Sequence, residues 1–190
     1  CGQMHSQVYL DQHDQILRPA ISWMDQRTAA IAERYNRDAS IKDLIFEHTS
    51  NTASTTYSAM HIRWVKENQP EIWEKTESIL IAKDYLKFRL TGQKATDYSE
   101  ASGTLLFDNQ HEKWSQEMFD LFEIPARLIP EVAASDVIIG TVSAEAAKIT
   151  GLRAGIPVAN GSTDNSASAF GAGMISSSQV TLIIGTAGVI

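Results

Sequence analysis

The carboxyl-terminal segment constrains the fold more than any other stretch, because two apolar runs there each lead into a turn suited to ligand contacts. The first run, 157–160, enters the polar turn GSTDN at 161–165, and a small-residue helix pattern follows over 166–174. The second run, 180–184, leads into the glycine-rich turn GTAG at 185–188. Strand signals that alternate with helix signals in this way predict an α/β fold.

The upstream sequence continues the alternation. Strand-like runs lie at 7–9, 79–81 and 137–142, and Ser143 predicts the cap of a helix over 144–150. Asp25 similarly predicts the start of a helix over 26–36, and Asp84 that of a helix over 85–90. Gly92 is a strong stop for the latter helix.

Composition excludes several classes of protein. The net charge of −7 argues against a nucleic-acid surface, and no apolar run approaches the ~20 residues of a membrane span. The single cysteine, Cys1, cannot form an internal disulfide, which favours a reducing cytoplasm. The chain opens at Cys1 and stops just past a turn, so we expect an internal piece of a longer protein; a complete small domain is the alternative.

Asp164 admits two interpretations. As a general base, its carboxylate would accept the proton of a substrate hydroxyl that attacks a γ-phosphate. As an N-cap, it would accept a backbone hydrogen bond at the start of a helix over 165–174, a role that aspartate fills well. Residue type alone favours the cap, but the two roles are compatible, because ligands of α/β proteins bind where strands end.

Two other motifs offer ligand contacts. Gly185 and Thr186 follow an apolar run, where a glycine backbone and a hydroxyl suit phosphate oxygens, although a plain hairpin turn fits equally. His5, beside Met4, could donate to a sugar hydroxyl, whereas a lone histidine is more often a surface or core residue. Since no second His or Cys stands at metal-ligand spacing, the sequence predicts no metal site within this chain.

The segment ISWMDQR at 21–27 combines an aromatic side chain with two charges. Trp23 offers an apolar face to the C–H side of a sugar, while Asp25 and Arg27 offer polar contacts. A core tryptophan followed by a helix cap is an equal alternative from the residues alone.

Taken in order, these pieces resemble the FGGY family of carbohydrate kinases along nearly the whole chain. The most specific stretch is the run KDYLKFRLTG followed by ATDYSEASGTLLFD. The resembling motifs are GQMHS (2–6), LRPAISWMDQRT (17–28), KDYLKFRLTG (83–92), ATDYSEASGTLLFD (95–108) and the two turns of the carboxyl-terminal segment.

The resemblance implies a partial actin-like, RNase H-like ATPase fold. Residues 1–175 would be the later part of the N-terminal, sugar-binding domain, and residues 176–190 the opening hairpin of the nucleotide-binding domain. The family's catalytic base falls on Asp164. Its other contacts fall on Met4, His5, Trp23 and Asn165 for the sugar and on Gly185 and Thr186 for phosphate. ATP and Mg²⁺ are implied as cofactors, with the Mg²⁺ ligands and the adenosine site outside this chain. A small sugar is implied as substrate, and a homodimer is left open.

Three positions depart from the family pattern, and one of them, Ser6, bears on the substrate. His61 replaces a usual lysine, Ala187 replaces a serine, and Ser6 replaces a glycine in a way more typical of gluconate kinases. The Thr-Asp-Asn around Asp164 is closer to xylulokinases. We therefore expect ATP-dependent phosphorylation of a ketopentose such as xylulose, with gluconate as the alternative substrate. A non-catalytic, sugar-binding fragment is the alternative of another class, since the metal and adenosine motifs are missing from this chain.

Overall fold

The computed structural model describes residues 1–176, 178–180, 183–184 and 188–189. Over these residues strands and helices are interspersed, as predicted for an α/β fold, and four consecutive helices separate the first two strands. The strands are Gln7–Leu10 (β1), Ser78–Ile81 (β2), Ala95–Asp97 (β3), Phe107–Asp108 (β4), Lys113–Trp114 (β5), Glu131–Ala133 (β6), Ile138–Thr141 (β7), Pro157–Ala159 (β8), Ile183–Ile184 (β9) and Gly188–Val189 (β10). The helices are Ala29–Arg37 (α1), Ala39–Thr49 (α2), Ser58–Asn68 (α3), Pro70–Lys75 (α4), Ala82–Thr91 (α5), Tyr98–Ser102 (α6), Gln116–Leu121 (α7), Ala144–Thr150 (α8) and Asp164–Gly171 (α9), with a 3₁₀ turn at Ala126–Leu128.

The strands pair two by two. β1 and β2 are antiparallel, with Gln7 opposite Ile81, and β3 runs parallel to β6. The pairs β4–β5, β7–β8 and β9–β10 are antiparallel. Further bridges join Gln7 to Ile21 and Leu10 to Ile16, so the 16–21 segment lies along the free edge of β1.

β1 is buried on both faces, because successive side chains of a strand point to opposite sides. Tyr9 packs into the large apolar cluster formed with α1, α2, α3 and α7. Val8 and Leu10 pack on the other side with Leu80 of β2 and Phe88 of α5. The residues that precede β1 therefore extend from a strand held on both faces, which suits a ligand site.

Two predicted helix starts are wrong. α1 begins at Ala29, because the Asp25 carboxylate accepts the backbone N–H of Arg27 at 2.9 Å and pairs with its guanidinium at 2.7 Å. α5 begins at Ala82, and Asp84 lies buried in its first turn. The predicted end of α5 is confirmed, since Gly92 has a φ of 76°, a conformation that favours glycine.

Within the described ranges, no helix has the length and apolar character needed to cross a lipid bilayer.

Candidate functional site

The turn before α9 lies beside the amino-terminal residues of the chain. Gly2 and Thr163 form a parallel bridge, and the N–H of Asp164 donates to the carbonyl of Gly2 at 3.0 Å. Gly161, with a φ of 82°, allows the chain to turn after β8. Two segments from opposite ends of the described chain therefore meet, one leading to His5 and the other to Asp164.

Thr163, and not Asp164, is the N-cap of α9. The Thr163 hydroxyl oxygen accepts the N–H of Ser166 at 3.3 Å, and Asp164 is the first helical residue. The capping interpretation of Asp164 is thus wrong. Its exposed carboxylate accepts the neighbouring N–H of Asn165 at 2.8 Å, and both side chains lie at the surface of the first turn of α9. The Asp164 carboxylate is accordingly available to a ligand.

His5 is a buried ring held in an unusual backbone conformation. Its φ of 69° lies in the left-handed region, and its ring packs edge-on against Tyr57 with centroids 5.5 Å apart. Burial lowers the pKa of His5 to about 4, with His61 also lowering it, while the Gly103 backbone and Asp164 act in the opposite direction. The ring is therefore neutral near pH 7, with one nitrogen as a donor and the other as an acceptor.

Gly103 allows the close packing of Met4 and His5. A Cβ at this position would lie 2.4 Å from His5 Cε1 and 2.6 Å from Met4 Cε, well inside van der Waals contact. Met4 is half-buried, so its sulfur-bearing side chain is shared between the interior and the surface. The predicted Met4-His5 pair thus forms one packed unit against the end of α6.

Behind this unit lies a polar contact between Gln7 and His61. The amide nitrogen of Gln7 contacts the carbonyl of His5 and lies 3.1 Å from His61 Nδ1. Burial lowers the pKa of His61, partly offset by the backbone and charge of Asp25. The position where the family usually has lysine therefore holds a buried, neutral ring that reaches the His5 segment through Gln7.

Trp23 belongs to the loop before α1. It is 40% exposed, so the alternative of a core tryptophan is wrong, and its sugar contact stays a prediction. Two residues further on, Asp25 partly offsets the lowering of the His61 pKa by burial. The Arg27 guanidinium stacks over Trp64 at 4.6 Å. The loop that carries Trp23 is thus held next to the His61 end of the site.

A buried ionic network lies under the two meeting segments. Lys83 Nζ pairs with Asp84 at 2.6 Å and with Asp97 at 2.7 Å, and burial of Lys83 is outweighed by these carboxylates, which raise its pKa. Lys87 contacts Asp84 at 3.0 Å and the Asn160 carbonyl at 2.8 Å. The network connects α5 to the residue that follows β8, and so to the turn leading to Asp164.

Sequence reasoning missed the polar side chains that support the predicted contacts. Lys83 and Asp97 lie in recognisable motifs and Gln7 directly follows one, but their roles depend on partners farther along the chain. Gly185 and Thr186 lie outside the described residues. In the part of the chain that the structure describes, no group of three or more His, Cys, Asp or Glu side chains is arranged to hold a metal ion, so no Mg²⁺ ligands are assigned here.

Comparisons with known proteins agree on one family. A profile of the FGGY family of carbohydrate kinases, N-terminal domain, matches residues 1–171. The xylulose kinase of Lactococcus lactis subsp. lactis is 38% identical over 189 residues, which cover 100% of this chain and 37% of that protein. The xylulose kinase of Bacillus subtilis is also 38% identical over 189 residues, covering 100% of this chain and 38% of its own length.

Solved structures show the same relationship. Ligand-bound xylulose kinase from Lactobacillus acidophilus superposes with a TM-score of 0.90 at 26% identity, covering 98% of this chain and 38% of its own. Gluconate kinase from the same species gives a TM-score of 0.91 at 26% identity, with the same coverage. The chain therefore spans less than two fifths of the length of these relatives.

The structural match confirms the predicted partial actin-like fold, and the family match confirms the resemblance read from the motifs. The chain belongs to the FGGY family of carbohydrate kinases, and its residues 1–171 correspond to the N-terminal domain of that family.

Proposed function

We propose that the protein containing this chain phosphorylates a small sugar with ATP, and that the sugar is a ketopentose such as xylulose. The family membership supports the reaction class, and the xylulose kinases of L. lactis and B. subtilis support the substrate. Residues 1–175 would form part of the sugar-binding domain and residues 176–190 the opening of the nucleotide-binding domain.

The observation that carries the proposal is the placement of Asp164. Its exposed carboxylate lies in a turn fixed to Gly2, close enough to the buried His5 ring to act on its pKa. In the proposed reaction, the Asp164 carboxylate takes the proton of the sugar hydroxyl as that oxygen bonds to the transferred phosphorus. ATP would supply the phosphoryl group, with ADP released as its bond to the γ-phosphorus breaks, and Mg²⁺ would neutralise the developing charge.

The remaining predicted residues would orient the sugar. The neutral His5 ring provides one donor and one acceptor for hydroxyl groups, beside Met4 and its apolar surface. Trp23 offers its exposed ring to the C–H face of the sugar, and Asn165 adds an amide next to the base. We assign phosphate contacts to Gly185 and Thr186 as part of the same proposal.

Replacing Asp164 by asparagine in the full-length protein tests the base. The amide keeps the size of the side chain but accepts a proton poorly, so we expect turnover with saturating ATP and xylulose to fall roughly 10²–10⁴-fold. Asp43→Asn, on the exposed part of α2, is the matched control and should keep wild-type turnover. A loss of only about tenfold would rule out Asp164 as the general base.

Gluconate is the second candidate substrate, favoured by the gluconate kinase among the structural matches. A panel of xylulose, ribulose and gluconate, each assayed with ATP for its kcat/KM, separates the two. Highest kcat/KM on gluconate would replace the ketopentose with a sugar acid. Sugar binding without any turnover would instead support a non-catalytic sugar-binding protein.

A further inference from the structure

The amino-terminal end of α6 contacts both segments of the proposed site. The hydroxyl oxygen of Ser99 accepts the N–H of Thr163 at 3.0 Å, and Thr163 immediately precedes Asp164. The next residue, Glu100, accepts the N–H of His5 through Oε1 at 3.1 Å. Two adjacent residues therefore each hold one side of the site by a backbone hydrogen bond.

We propose that Ser99 and Glu100 are positioning residues that set the placement of Asp164 relative to His5. This inference rests on the proposed function, because it assigns no new chemistry and concerns how the base and the sugar contact are held together. Ser99 acts on the base side and Glu100 on the sugar side. The short helix α6 thus contacts both the segment of Asp164 and the segment of His5.

The Ser99 hydroxyl is itself oriented. A hydroxyl has one proton to donate, and that of Ser99 is donated to the Asp97 carboxylate, which leaves its lone pairs to accept the Thr163 N–H. Asp97 is fully buried, caps α6 through the N–H of Ser99 at 3.0 Å, and is paired with Lys83. The contact on the base side therefore extends back to the buried ionic network.

Glu100 accepts the N–H of His5 and so supports a residue whose backbone conformation is unfavourable. The backbone of His5 is left-handed, a conformation that is unfavourable for a non-glycine residue, so its geometry depends on surrounding contacts. Glu100 is buried, and His5 packs against Gly103 at the far end of the same helix. Both ends of α6 thus constrain the His5 segment.

Steady-state kinetics of variants in the full-length protein test the base side. We expect Ser99→Ala to lower kcat by about tenfold or more with the sugar KM within about threefold, since a small misplacement of a catalytic group costs up to about 10²-fold. Ser99→Thr keeps the hydroxyl and should restore kcat. Ser102→Ala is the matched control, because its hydroxyl donates to the Ser99 carbonyl within α6 and reaches neither Thr163 nor His5.

The sugar side has the opposite expected pattern. Glu100→Ala leaves the His5 N–H without its acceptor, so the sugar KM should rise about tenfold while kcat changes less. Glu100→Gln keeps an oxygen at the same place and should restore the KM. Equal effects of Ser99→Ala and Glu100→Ala on both constants, or effects no larger than those of Ser102→Ala, would overturn the inference.

Amide hydrogen exchange provides a readout that does not depend on activity. The Thr163 N–H should exchange faster in Ser99→Ala, and the His5 N–H faster in Glu100→Ala, with neither changed in Ser102→Ala. Unchanged exchange at both amides overturns the inference even if the kinetics are altered. A wild-type protein that phosphorylates none of the three sugars would refute the proposed function, and the exchange result would then decide the positioning contacts alone.

Discussion

At the scale of single residues, the space at Gly103 controls how closely the Met4-His5 unit packs on α6. The backbone there is in an ordinary conformation, so glycine is needed for its missing side chain and not for its φ. An added methyl group would meet the His5 ring, whose backbone is already left-handed. The position thus couples a steric requirement of α6 to His5, the proposed sugar contact.

We predict that Gly103→Ala raises the sugar KM about tenfold and destabilises the protein by about 1–3 kcal/mol, the usual range for overpacking. Gly171→Ala in α9 is the control, because nothing lies within 4 Å of a Cβ at that position. Substrate titrations and urea unfolding would measure the two effects. A Gly103→Ala variant with the kinetics of Gly171→Ala would show that the His5 segment can move without consequence.

At the scale of elements, Lys87 ties α5 to the end of β8. Its side chain is 5% exposed, and its ammonium group is shared between the Asp84 carboxylate and the backbone and side chain of Asn160. Asn160 also donates to carbonyl groups of β3 and β6, at Thr96 and Ala133. The turn that leads to Asp164 is therefore anchored through a single asparagine to one helix and to the β3–β6 pair.

Lys87→Met should lower the free energy of unfolding by about 3 kcal/mol, because the buried backbone and side-chain oxygens of Asn160 lose their donor and the buried Asp84 keeps only Lys83 as a counter-charge. The exposed Lys42→Met should change it by less than about 0.5 kcal/mol. Urea titration followed by circular dichroism measures both. A loss below about 1 kcal/mol for Lys87→Met would mean that the carboxylate and carbonyl find other partners.

Local sequence signals predicted a helix end correctly where a single residue determines it. Ser143 caps α8 and Gly92 ends α5 as predicted, because each acts on the turn next to it. At 163–164 two residues able to cap stand side by side, and the sequence alone could not show which one the backbone would use. Asp25 looked like a cap but bonds Arg27 instead, so α1 starts later.

The supporting side chains of the site could not be predicted for a different reason. Residue type identified Met4, His5, Trp23 and Asp164 through family motifs, but not Ser99 or Glu100, whose partners lie 64 and 95 positions away. Hydrogen bonds of that separation leave no periodic trace in a sequence. Motifs therefore indicated the proposed ligand contacts, whereas the tertiary structure was needed to find the side chains that hold them.

At the scale of the whole molecule, two buried groups give folding stability opposite dependences on pH. In the unfolded chain this histidine takes up a proton near pH 6.5, whereas folded His5, with its pKa of about 4, stays neutral. Folding stability is therefore lost as the pH falls from 6.5 to about 4. Burial, together with Asp84, raises the pKa of Glu100 to about 8 from 4.5, so stability is lost as the pH rises from 4.5 through 8. Above pH 6.5 only the Glu100 effect of this pair remains.

We predict that the Tm falls between pH 6.5 and 8, and that Glu100→Gln removes this decline. Glu123→Gln is the control and should keep the decline, because Lys66 and Arg63 lower the pKa of the exposed Glu123 to about 2, so its contribution is lost only as the pH falls below 4.5. Calorimetric scans across pH 5–8.5 would show the difference. A Tm that declines equally in wild type and Glu100→Gln would mean that Glu100 does not titrate in this range.

The bridge between Gly2 and Thr163 also has a consequence for biosynthesis. A ribosome releases the His5 segment first, and at about 5–20 residues per second roughly ten to thirty seconds pass before Thr163 is synthesised. During that interval Gly2 has no bridge partner, whereas Glu100, which is synthesised before Thr163, can already accept the N–H of His5. Since contacts of such separation form late, refolding should restore the helical signal before it restores sugar binding.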